Sequence, residues 1–119
     1  MSVLKASVCA AALCLSIVPL KAQTDSDGTW AVTLITQSGD CDPLLNARIR
    51  INSGLVNEQG LFSQIQGSVD PAGKVALRVV RGADQLAARG MVDGHQAKGL
   101  WDSASRNCSG RWIASRRSF

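Results

Sequence analysis

Tyrosine is absent from this sequence, and histidine and glutamate occur once each, as His95 and Glu58. A hydrolytic nucleophile needs a base that a third group orients, and a metal centre needs several His, Cys, Asp or Glu ligands at suitable spacing. The chain has a single imidazole and no Cys-x-x-Cys pair, so neither arrangement is offered. His95 follows Asp93-Gly94, a turn dipeptide, and reads as a solvated turn residue rather than a base. Asp93 and Asp102 each follow a hydrophobic residue and read as turn starters, not as a carboxylate pair. Phosphate-cradling glycine loops and nucleotide fingerprints are also missing. The expectation is a protein without catalysis, cofactor or metal.

Long apolar runs are scarce as well. The one candidate, Ala6 to Leu20, lies between Lys5 and Lys21, with only 15 residues separating the two lysines. A spanning helix needs about 20 apolar residues, whereas a lysine, a short apolar run and a small residue at Ala22 form the pattern of a secretory signal peptide. Residues 1–22 are expected to be that signal. Val8 and Leu13 precede Cys9 and Cys14 where a lipid-anchoring signal wants small residues, so no lipid anchor is expected.

Cleavage would leave 23–119 as a single domain of 97 residues with no membrane-spanning segment. Loss of Lys5 and Lys21 leaves eleven basic against nine acidic residues, a net charge of +2. Only Cys41 and Cys108 remain, and in a secreted or periplasmic chain one pairing is possible. A loop of that length closed by a disulfide contributes about 4 kcal/mol in the chain-entropy model, a large share of a small domain's stability.

Helical periodicity is also lacking, and period-two alternation takes its place. Trp30, Val32 and Leu34 share one side of a first strand. Residues 37–46 carry Gly39, Asp40, Asp42 and Pro43 and predict a loop holding Cys41. Ala47, Ile49 and Ile51 alternate with Arg48 and Arg50. Asn52-Ser53-Gly54 predicts a turn, and Leu55-Val56 a short strand interrupted from Asn57 to Gly60. Leu61 to Val69 predicts the next strand, ended by the Asp70-Pro71-Ala72-Gly73 turn. Val75, Leu77 and Val79 form another, and 86–92, 96–102 and 108–116 complete the series around Asp93-Gly94 and a polar turn at 103–107. The sum is an all-β chain of about eight short strands with no room for crossover helices. Such a chain forms an antiparallel meander, as a small up-and-down barrel or a curled sheet.

Glycine followed two residues later by valine or tryptophan recurs along the chain, among others as Gly28-Thr-Trp30, Gly99-Leu-Trp101 and Gly110-Arg-Trp112. A glycine accepts a large neighbour, and the residue two positions on faces the same side. Trp30, Trp101 and Trp112 dominate the aromatic content and are the candidate ligand-binding residues, as stacking surfaces or as packing in a tapering interior. Arg48, Arg50, Arg78, Arg89 and Lys98 fall opposite the apolar positions of their strands and are the candidate contacts to an anionic surface. The low net charge and the absence of interleaved aromatics argue against nucleic acid as a partner.

Gly28-Thr29-Trp30 at the first strand, with Arg111 and Arg116 in the last, resembles the signature of the calycin superfamily of lipocalins, avidins and bacterial metalloprotease inhibitors. The resemblance implies a barrel with the tryptophan closing one end and a basic residue packed across it. The chain departs from that family in its shortness and in the wide spacing of its two cysteines. The leader, the Gly-x-Trp strand and the closing Cys-Ser-Gly-x-Trp strand are also similar to small exported β proteins of Gram-negative bacteria. The expected function is non-catalytic binding of a small ligand around the three tryptophans, or of a protein partner at the loop from Cys41 to Asn46. The alternative is an envelope-associated module that binds anionic surface polymers through its outer arginines.

Overall fold

The structure, a computed structural model, describes residues 26–61 and 63–117; the expected leader, 1–22, lies outside them. The described chain forms eight strands: β1 (Gly28–Ser38), β2 (Leu44–Ile51), β3 (Leu55–Gln59), β4 (Gln64–Val69), β5 (Lys74–Arg81), β6 (Asp84–Asp93), β7 (Gln96–Ser103) and β8 (Cys108–Arg116). They make one antiparallel sheet in the order β2-β1-β8-β7-β6-β5-β4-β3. Because β1 pairs with both β2 and β8, the first and last strands join and the meander curls into a nearly closed barrel.

The gap in the ring lies between β2 and β3. A two-residue turn, Ser53-Gly54, joins them, and both of its residues have positive φ, as the tightest hairpins require. Beyond a single bridge between Asn52 and Leu55 the two strands part. Glu58 partly covers the break. Its carboxylate accepts the Arg50 backbone N–H at 2.6 Å, a donor that would otherwise face the open edge.

Strand direction defines two ends. The floor carries the turns at 52–55, 70–73 and 94–95, and the mouth carries those at 39–43, 60–63, 82–83 and 104–107. Between them the inward positions follow the expected alternation. The core contains Trp30, Ile49, Ile51, Val56, Val69, Val75, Ala97, Trp101, Trp112 and Ala114. Transferring such side chains from water supplies the main drive to fold.

Three local readings are corrected. Leu44, Leu45 and Asn46 are strand rather than loop, because they pair with Ile35, Leu34 and Thr33 and extend β2 toward the mouth. Asn57 to Gln59 continue β3 rather than interrupt it, since they meet Gln66, Ile65 and Gln64 across the hairpin. Leu61 belongs to the mouth turn and is 92% exposed, with β4 beginning only at Gln64. In the first two cases a partner across the hairpin decided what local composition left open.

Two Gly-x-Trp segments interlock on β7 and β8. Trp112 stands opposite Gly99, and Trp101 stands opposite Gly110. Each indole crosses the strand that carries the facing glycine and donates to a carbonyl one strand beyond: Trp112 Nε1 to Arg89 at 3.2 Å, Trp101 Nε1 to Ile35 at 3.2 Å. A Cβ on Gly99 would overlap the Arg89 carbonyl oxygen, and one on Gly110 the Ile35 carbonyl oxygen. The backbones approach so closely that only glycine fits. Cys41 and Cys108 form a disulfide at the mouth, their Cα atoms 6.1 Å apart, within the span such bridges tolerate.

Candidate functional site

The floor is built around Trp30, which is 1% exposed. Its Nε1 donates to the Ser26 carbonyl at 2.9 Å, so the segment leading into β1 folds under the barrel. Arg116 at the end of β8 lies across the indole, its guanidinium carbon 5.1 Å from the ring centroid. The same guanidinium donates to the Asp27 carbonyl at 2.8 Å and to the Gly94 carbonyl at 2.9 Å. Its Nε is buried without a partner among the described residues. The Asp27 carboxylate accepts the N–H groups of Ser53 and Gly54 at 2.9 and 3.0 Å, which ties the seam turn to the same knot. These contacts close the floor among the described residues.

Above the floor the interior is apolar throughout. A cavity of about 80 Å³ is lined by Trp30, Ile49, Val56, Val75, Ala88 and Trp112, among other hydrophobic residues. Toward the mouth lies a second cavity of about 190 Å³, bounded by Thr36, Cys41, Asp42, Arg81, Trp101 and Ser103. Leu34, Val79 and Leu86 line both and form the throat between them. A closed floor, an apolar interior and a partly polar mouth make a cup that opens at the disulfide end.

The rim carries charge of both signs. Arg106 pairs with Asp84 at 3.4 Å, and both side chains are about half exposed. Arg81 follows Val75, Leu77 and Val79 in phase, so it belongs to the inward side, and it makes no ion pair among the described residues. Ser103 donates to the Gln85 carbonyl at 2.7 Å and fixes the wall between β6 and β7. The two-residue alternation through β5 aims Arg81 at the mouth.

The three tryptophans belong to one buried core but do not line one cavity. Trp30 and Trp112 line the inner cavity and Trp101 the outer one. The cations singled out on the outside are likewise divided. Arg78, Arg89 and Lys98 stand on the adjacent strands β5, β6 and β7, whereas Arg48 and Arg50 stand on β2, three strands beyond β7 through β8 and β1. Arg89 pairs with Asp102 at 3.6 Å, Arg78 donates to the Gln85 side chain at 3.4 Å, and Arg50 donates to Thr29 Oγ1 at 3.4 Å.

His95 lies exposed in a floor turn, and Asp102 lies seven residues on, near the mouth end of β7, so the fold does not bring them together. Among the described residues no three His, Cys, Asp or Glu side chains gather in a metal-holding group. Comparison with protein-family models, with curated proteins and with solved structures finds no match.

Proposed function

We propose that this protein is a non-catalytic binding domain, secreted or periplasmic, that takes the apolar end of a small ligand through the mouth and leaves the polar end at the rim. The observation that carries the reading is the shared throat: Leu34, Val79 and Leu86 connect a wholly apolar interior to a mouth where Arg81, Arg106 and Asp84 gather. Size narrows the ligand. An engineered apolar cavity of about 150 Å³ holds benzene; the inner cavity here is about 80 Å³ and the outer one about 190 Å³. A short alkyl chain or a single ring fits in the throat and outer cavity, and a bulky polycyclic ligand does not. Arg81, which makes no ion pair among the described residues, offers a donor to an anionic head group, with Asp42 on the same rim.

The leader pattern and the single disulfide support an exported destination. The eight-stranded meander closed at one end by Trp30 and Arg116 supports a calycin-like relationship.

Titration with a series of medium-chain alkanoates, read by tryptophan fluorescence, tests the proposal. A saturable change is expected, with Trp101→Phe losing most of the signal and Leu86→Trp, which fills the throat, losing binding. A melting curve confirms that each variant is folded. Absence of a saturable response across the series, or an unaltered response in the folded Leu86→Trp variant, overturns the cavity reading.

A further inference from the structure

The outer wall of β6, β7 and β8 groups three large apolar side chains on one exposed face. Met91, Leu100 and Ile113 are 48%, 51% and 45% exposed. Register places them in two neighbouring rows with cations between. Ile113, Lys98 and Met91 follow one another across the strands, and in the next row so do Arg111, Leu100 and Arg89. Lys74 on β5 continues the first row beyond Met91. Every apolar side chain in this chequered patch therefore has a cation directly across from it. The face is also hollowed: an open recess of about 970 Å³ runs past Thr33, Met91, Lys98 and Ile113.

We propose that this face seats the barrel on an anionic phospholipid surface, with Met91, Leu100 and Ile113 entering the headgroup layer and Lys98, Arg111 and Lys74 meeting the phosphates. Charge decides among occupants. A second copy placed on the patch by twofold symmetry would set cation against cation, because the acidic neighbours Asp93 and Asp102 stand at its borders and Asp102 already faces Arg89. A soluble anionic polymer would meet the cations but would leave three large apolar side chains in water. An interface of acyl chains and anionic headgroups accommodates both, and short-range charge attraction adds to apolar insertion there. The patch lies on the outside of the barrel wall, so a seated molecule keeps its interior separate from the contact.

Met91 supplies a site-specific readout, since the only other methionine is Met1. The full chain is mixed with vesicles of phosphatidylglycerol or of phosphatidylcholine, sedimented, and exposed to dilute hydrogen peroxide, and Met91 sulfoxide is followed by peptide mass spectrometry. Phosphatidylglycerol vesicles are expected to slow Met91 oxidation at least fivefold, with the effect lost at high salt, and phosphatidylcholine vesicles to leave it unchanged. Lys98→Glu with Arg111→Glu, and separately Leu100→Ser, should each abolish the protection while the melting curve stays cooperative. The leader is present in every variant, so sedimentation through it cannot mimic protection at Met91. Equal oxidation rates with and without anionic vesicles overturn the proposal. So does equal protection by phosphatidylcholine, by dextran sulfate in place of vesicles, or by raising protein concentration alone, the last two pointing to a polymer or a second copy.

Discussion

The guanidinium of Arg116 lies over the indole of Trp30, 5.1 Å from its centroid, and joins the last strand to the first at the floor. A cation over an aromatic face contributes about 0.5 to 2 kcal/mol depending on desolvation, and hydrogen bonds to a charged donor contribute about 1.5 to 3 kcal/mol. Arg116 makes two of the latter, to Asp27 and Gly94. Arg116→Ala should lower unfolding free energy by about 3 kcal/mol. Arg116→Lys should recover only part of it, because an ammonium lacks the planar fork that reaches both carbonyls. Urea midpoints of the two variants give the answer, and full recovery by lysine would mean that charge alone matters.

The disulfide predicts a separate loss at the opposite end. Cys108→Ala should lower stability by up to about 4 kcal/mol by the loop-closure argument, and reduction should change the migration of the parent protein. Equal melting temperatures with and without reductant would sink the assignment of the bridge to stability.

Glycine positions divide sharply. Alanine at Gly99 would meet the Arg89 carbonyl and the Gly90 Cα, and alanine at Gly110 the Ile35 carbonyl, all of them backbone that cannot swing away. Each substitution should cost more than about 4 kcal/mol, the range of severe backbone and packing defects. Gly82→Ala meets nothing within 4 Å and carries only its positive φ of 62°. Its cost should stay near 1 kcal/mol. Thermal melts of the three variants test the ranking.

Ala88 lines the inner cavity, directly across from Trp101 on β7 and Leu77 on β5. Ala88→Val adds apolar volume to that space and should stabilise the fold by about 1 kcal/mol, since residual cavity volume costs roughly 24 cal/mol per Å³. A loss of stability would mean that the space cannot accept even two methyl groups.

Glu58→Ala removes the acceptor from the Arg50 N–H at the seam. The expected loss is about 0.5 to 1 kcal/mol, since water can take the acceptor's place at this exposed edge, with faster hydrogen exchange at Arg50. Glu58→Gln keeps an acceptor and should restore most of the protection, which amide exchange followed by NMR resolves.

Alternation made the barrel wall readable from residues alone. Val75-Leu77-Val79 and Trp30-Val32-Leu34 show the inward face because strand side chains repeat every two residues, and the turn residues at 52–54, 70–73 and 93–94 place the reversals. The seam was not readable. Whether β2 pairs with β3 depends on how the ring closes, and Asn57 and Glu58 look like interruption until Gln66 and Ile65 are set opposite them. The throat was hidden for the same reason. Leu34, Val79 and Leu86 lie on β1, β5 and β6, and no local pattern tells that these three strands face one another across a hollow. The reciprocal glycines came closest. Gly-x-Trp was visible at 99–101 and 110–112, but its meaning required the register that sets Gly99 against Trp112.

The pairing of β1 with β8 also orders events in time. Synthesis runs from the first strand to the last, and the hairpins from β3 to β8 can form from near neighbours as they appear. One edge of β1 has no partner until Arg111 and its neighbours arrive, and that contact spans most of the domain. Such non-local closure is slow because the entropy of bringing distant segments together is spent before the contact rewards it. Trp30 thus remains exposed on an unfinished sheet until Arg116 is made, and the interval before ring closure is when this chain is most open to aggregation and most in need of a chaperone.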